Sequence, residues 1–125
     1  MKKLSALLLL LSACQQTSPP VAAPTQLEAD RAAILAHVSA TENDPASYEL
    51  VELRRSGDFT RGDSLRLRFI RGDDDARQPM SADSARRCGR LYFHKYRAKN
   101  ALGGLVLTWN YAVVPRSGEV FTYKF

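Results

Sequence analysis

The chain has 125 residues, a net charge of +5 at neutral pH and a pI near 9.5. Its 18 Lys and Arg are interleaved with 13 Asp and Glu rather than clustered, which argues against a nucleic-acid partner and leaves only a weak attraction to anionic lipid or polysaccharide surfaces. The length allows one small domain with a single core, since a domain of about 100 residues buries roughly two-thirds of its unfolded surface.

The first residues carry the most specific pattern. Met1-Lys2-Lys3 is a basic start, Leu4 to Leu11 is almost unbroken apolar sequence, and Leu11-Ser12-Ala13 sets small residues before Cys14. That order describes a secretory signal peptide over residues 1–13, too short to span a bilayer. The L-S-A-C ending resembles the lipobox of bacterial lipoproteins. The resemblance implies that Cys14 receives diacylglycerol, that a dedicated peptidase cuts before it, and that the new amine is acylated. Gln15, rather than Asp, after the cysteine implies sorting to the outer membrane, facing the periplasm. Residues 14–25 follow as a tether, because the three prolines and small uncharged residues from Gln15 to Thr25 cannot bury enough apolar surface to fold. Loss of Lys2 and Lys3 with the signal lowers the net charge by two, to +3. Conversion of Cys14 to a thioether leaves Cys88 as the one thiol, so no intrachain disulfide can form.

Residues 26–125 form the expected folded domain. Gln26 to about Thr41 reads as an amphipathic helix with Leu27, Ile34, Leu35 and Val38 near one face, Thr25 as its cap, and Glu28 and Asp30 in the first turn. It is expected to stop before Asn43-Asp44-Pro45. Period-two patterns then predict strands at Tyr48–Arg54, Ser64–Ile70, Cys88 to about Ala98, Leu105–Val114 and a last segment holding Phe121, Tyr123 and Phe125. Gly57 and Gly62 bracket a predicted turn, and 71–87 reads as a long exposed loop. Asn100–Gly104 supplies hairpin chemistry, and Leu105, Leu107, Trp109, Tyr111 and Val113 share one face of the strongest strand. The sum is an α+β domain, one N-terminal helix packed on an antiparallel sheet of four or five strands.

Three blocks, Asp44-Pro45-Ala46-Ser47, Cys88-Gly89 and Arg97-Ala98-Lys99-Asn100-Ala101-Leu102-Gly103-Gly104, resemble a family of small bacterial envelope proteins with D-P-x-S and A-K-N-x-x-G-G motifs. This chain has Leu105 where many members place an aromatic residue after the paired glycines. That family brings no established activity, so the resemblance implies fold and compartment only.

Candidate chemistry is sparse. Cys88 and His94 are the thiol and base of a small envelope enzyme or redox protein, the alternative reading. On one strand, however, they stand roughly 20 Å apart at ~3.3 Å per residue. Asp73, Asp74 and Asp75 lack the spacing, glycine turn and distal glutamate of a calcium loop. Arg61-Gly62-Asp63 and Arg71-Gly72-Asp73 each spell an adhesion-like tripeptide, but glycine before aspartate is ordinary turn chemistry. No nucleophile elbow, phosphate loop or zinc cluster is present, and no cofactor is expected. The leading expectation is a lipid-anchored, non-catalytic binding or assembly module for an envelope protein or glycan. If the helix covers one sheet face, the other presents Arg66, Arg68, Tyr92, His94, Tyr96 and Asn110, with Arg90, Thr108, Thr122 and Lys124. Tyrosine and arginine are enriched at recognition surfaces.

Overall fold

The computed structural model describes residues 22–76 and 82–124, so the signal segment, Cys14 and the tether up to residue 21 lie outside the described residues. Helix α1, Gln26–Thr41, starts where expected. Thr25 Oγ1 accepts from the Glu28 N–H, and Glu28 Oε2 accepts from the Thr25 N–H at 2.7 Å, a reciprocal capping box. The backbone and hydroxyl bonds from Thr25 hold the Glu28 carboxyl below its usual range. The helix ends at Glu42, ahead of a 3-10 turn over Pro45–Ser47. Its buried positions are Asp30, Ile34 and Val38, four residues apart and therefore on one face, while Leu27 remains 54% exposed.

Four strands follow: β1 Glu49–Thr60, β2 Arg87–Lys99, β3 Leu105–Pro115 and β4 Phe121–Tyr123. They form an antiparallel meander in the order β1-β2-β3-β4. The β2–β3 hairpin is tied by Asn100, whose Oδ1 accepts from the Leu102 and Gly104 amides, both at 3.0 Å. Gly103 takes the positive φ of +80° that the turn requires.

The predicted strand at Ser64–Ile70 is instead helix α2, Arg61–Ile70. Thr60 Oγ1 accepts from the Asp63 N–H while Asp63 Oδ2 accepts from the Thr60 N–H at 2.9 Å, so a second capping box starts it. It ends in a Schellman arrangement: the Asp73 amide donates to Arg68 O, the Gly72 amide to Phe69 O, and Gly72 holds φ +93°. Leu65, Leu67 and Phe69 alternate as a strand would, but a short apolar run fits either period, and only Leu67 is buried. Strand β1 runs on through the predicted turn at Gly57, absorbing it as a register irregularity between Arg55 and Gly57, and Gly62 lies in α2. The expected loop contains 3-10 turns at Asp74–Ala76 and Ala82–Ala85, and Ala76 is buried.

Alternation along β2 and β3 splits the apolar interior between the two faces of the sheet. On one face, Ile34 and Val38 of α1 pack on Tyr92, Tyr96, Ala98, Ala112 and Val114. On the other, Leu67 of α2 packs with Phe59, Val113 and Tyr123, rimmed by Cys88, Leu91, Tyr111 and Phe121. Each fully buried aliphatic side chain of this kind contributes roughly 1.5–3 kcal/mol of transfer free energy. Helix α2 is short and covers only one end of its face.

Candidate functional site

The residues expected on an open recognition face lie elsewhere. Tyr92, His94, Tyr96 and Asn110 are 1%, 0%, 6% and 6% exposed, because α1 covers that face rather than the opposite one. Arg66 and Arg68 are exposed on α2, away from the sheet ladder, and Arg68 donates to Asp73 Oδ2 at 2.9 and 2.6 Å. The buried four belong to a polar seam under α1. Asn110 Oδ1 lies 3.0 Å from His94 Nδ1, so Nδ1 carries the proton and Nε2 accepts from the Tyr48 hydroxyl at 2.7 Å. The imidazole stacks on Tyr96 at 4.6 Å, and Tyr96 donates to Glu42 Oε1 at 2.5 Å. Burial lowers the His94 pKa, so the ring is neutral, and burial pushes the Tyr48 hydroxyl up to about 12. An imidazole with both nitrogens occupied and no exposed surface organises the core; it has no atom free for a substrate.

At the other end of the seam, Asp30 of α1 takes a forked ion pair from Arg90 and a 2.6 Å hydrogen bond from Tyr92. Cys88 lies at the rim of the α2-side cluster, half-buried, with its thiol 3.6 Å from Arg86 O. His94 belongs to the opposite face, so the structure does not bring the two together. Both adhesion-like tripeptides are helix punctuation, the first opening α2 and the second closing it. Among the described residues no group of three or more His, Cys, Asp or Glu is placed to hold a metal ion.

The feature that remains open is the α2-side face beyond the reach of α2. Along β3, Val113 is buried and Tyr111 half-buried, after which Trp109, Leu107 and Leu105 are 47%, 50% and 60% exposed. Phe93 braces this row, its ring stacking on Trp109 with centroids 6.3 Å apart, and the Arg54 guanidinium lies 4.7 Å from the centroid of the same Phe93 ring. In the β2–β3 register Lys95 stands opposite Trp109, Arg97 opposite Leu107 and Lys99 opposite Leu105. A cationic row thus borders an apolar one, with only Glu49, 3.8 Å from Arg97, as a bridging acid.

The same segment is an open sheet edge. Strand β4 pairs only with Tyr111–Val113, so among the described residues nothing pairs with the outer edge of 105–110. The other edge, β1, is interrupted by register irregularities and carries Glu49, Glu52, Arg54, Arg55 and Asp58. Bulges and charges are how edge strands are kept from pairing with other chains. Residues 105–110, Leu-Val-Leu-Thr-Trp-Asn, have neither: they hold no charge and pair with β2 without a register shift.

No family model, no curated protein and no solved structure matches the chain.

Proposed function

We propose that the protein is a lipid-anchored envelope component, attached through Cys14, that binds an extended segment of another envelope protein by adding it as a strand to the 105–110 edge. The observation that carries this reading is the contrast between a charged, irregular β1 edge and a smooth, apolar, unpaired β3 edge in one small sheet. Strand addition draws affinity from main-chain hydrogen bonds and specificity from alternate side chains. Here the alternate positions are Leu105, Leu107 and Trp109, so the incoming strand presents apolar groups on that face. Lys95, Arg97 and Lys99 favour acidic flanks on the partner, whereas a second copy of this chain would present the same positive row. The role is binding without catalysis, consistent with the enclosed His94 and its separation from Cys88. No helix among the described residues is long and apolar enough to cross a membrane.

The test places a photo-crosslinking residue at Leu107 and, for comparison, at exposed Val51 of β1 in the full chain in cells. The expected result is one discrete protein adduct from position 107 and none from 51, with amide exchange of 105–110 slowed in the isolated complex. Equal labelling at both positions, an adduct of the chain with itself, or unprotected amides would overturn the reading.

A further inference from the structure

We infer that the arginine-lined recess at the end of the sheet opposite the β2–β3 hairpin is a binding site for a phosphate group. The recess encloses about 180 Å³ and is lined by Arg55 and Asp58 of β1, Arg87, Gly89 and Arg90 of β2, and Arg116 just past β3. Its location is independent of the open edge, since it draws on the first part of β2 and the last part of β3.

The charge balance there is uneven. Asp58 is the one acid in the lining, and both of its oxygens are engaged, Oδ1 by Arg55 at 2.7 Å and Oδ2 by Arg87 at 2.9 Å. Arg90 is turned to Asp30, whose two oxygens are already shared with Tyr92 and Gln26. Arg116 has no carboxylate within ion-pair reach among the described residues; only its backbone amide is used, donating to Cys88 O at 2.9 Å. Four guanidinium groups against Asp58 and Asp30 leave a local surplus of two positive charges.

Donors are also in surplus. A guanidinium has five N–H groups. Arg55 spends Nε on Gly57 O and Nη2 on Asp58, and Arg87 spends Nε on Asp58, which leaves their remaining N–H groups and all of those of Arg116. Guanidinium forks match the paired oxygens of phosphate, and arginine is the residue favoured for that contact. The volume is below the roughly 300 Å³ at which drug-sized ligand pockets begin, so it suits one phosphate head rather than a whole extended ligand. Gly89, also in the lining, packs against β3 with no room for a side chain: a Cβ there would lie 2.7 Å from Val114 O and 2.8 Å from Pro115 Cα.

The phosphate could belong to a free anion or to a lipid headgroup, and the experiment separates these sources. The full chain in neutral detergent micelles is titrated with inorganic phosphate at constant ionic strength, and separately with phosphatidylglycerol mixed into the micelles, reading the thermal unfolding midpoint. Arg116→Ala is the informative variant, because no carboxylate depends on Arg116. Arg66→Ala, on exposed α2, controls for charge alone. The expected result is a saturable rise in midpoint that needs at least tenfold more ligand in R116A and is unchanged in R66A. A rise with inorganic phosphate assigns a free phosphate, and a rise with phosphatidylglycerol alone assigns a headgroup. No rise with either, or equal losses in R116A and R66A, overturns the inference.

Discussion

Asp30 shows how much one side chain fixes in this molecule. It is 2% exposed and sits on α1, yet it accepts from Arg90 and Tyr92 of β2 as well as from Gln26 one turn back. Burial pushes its carboxyl up, but the bonds from Arg90, Tyr92 and Gln26 outweigh this and hold it below its ordinary value of 3.8. Asp30→Ala would leave the Tyr92 hydroxyl and a mostly covered guanidinium without an acceptor, so it should destabilise the fold by about 3 kcal/mol. The two titrating groups of the seam act in different pH windows. A lowered carboxylate stabilises above its unfolded pKa and loses that contribution as pH falls through its folded one. His94, also lowered, is neutral in the fold, so stability falls as pH drops below 6.5, where the unfolded chain takes up the proton first, and levels off once the folded ring protonates. Denaturant unfolding across neutral to acidic pH should therefore show two declines in the wild type. D30A should keep the His94 decline and lose most of the more acidic one; an unaltered acid limb would exclude Asp30 as its source.

At the scale of elements, α2 is held by its ends. Only Leu67 of its ten residues is buried, so packing supplies little, and the Thr60–Asp63 box and the Gly72 terminus carry the rest. Thr60→Ala should cost about 1 kcal/mol, and amide exchange over 61–67 should accelerate while α1 remains protected. Uniform acceleration across both helices would instead mean that α2 does not open by itself. The capping pattern was present in the sequence as Thr60-x-x-Asp63 followed by Gly72, and it outweighs three alternating apolar residues that suit either period. The helix at Gln26–Thr41, the strands β2 and β3 and their Asn100–Gly104 turn were legible, because each combines a long periodic run with turn or cap chemistry. Which face of the sheet α1 covers was not legible from β3 alone, since Asn110, Ala112 and Val114 look less apolar than Trp109, Tyr111 and Val113. The hairpin register supplied the missing signal. Pairing about Asn100–Gly104 sets Lys99, Arg97 and Lys95 against Leu105, Leu107 and Trp109, and three successive cations cannot line a core. The seam residues read from sequence as the sheet face left open by the helix, since tyrosine and arginine are enriched at recognition surfaces; their mutual hydrogen bonds, which make burial tolerable, are visible only in three dimensions.

For the whole molecule, the proposed membrane attachment can be argued from two forces. Two forces compete, the basic surface and the proposed acyl anchor. Surface charges are screened over about 8–10 Å at physiological salt, while a proline-rich linker of the proposed kind would allow a reach of up to roughly 30 Å from the lipid at ~3 Å per residue. If the signal is removed as proposed, the net charge that remains is +3, and screening leaves it only a weak, salt-sensitive attraction to the membrane. Acyl chains contribute ~0.8 kcal/mol per buried methylene, and one chain gives only marginal binding whereas two or more anchor stably. Retention should thus depend on Cys14 and hardly on salt. The wild-type chain is expected to sediment with membranes and resist a high-salt wash, and Cys14→Ser to move almost entirely to the soluble fraction with its unfolding transition unchanged. A soluble C14S chain that keeps the thermal response to phosphate would also show that the recess does not need the anchor to fill. Membrane retention of C14S that salt reverses would assign attachment to charge; retention that survives salt and persists in a C14S chain lacking residues 1–13 would assign it to an apolar contact of the domain itself, for which the Leu105–Trp109 face is the only exposed row of suitable size among the described residues.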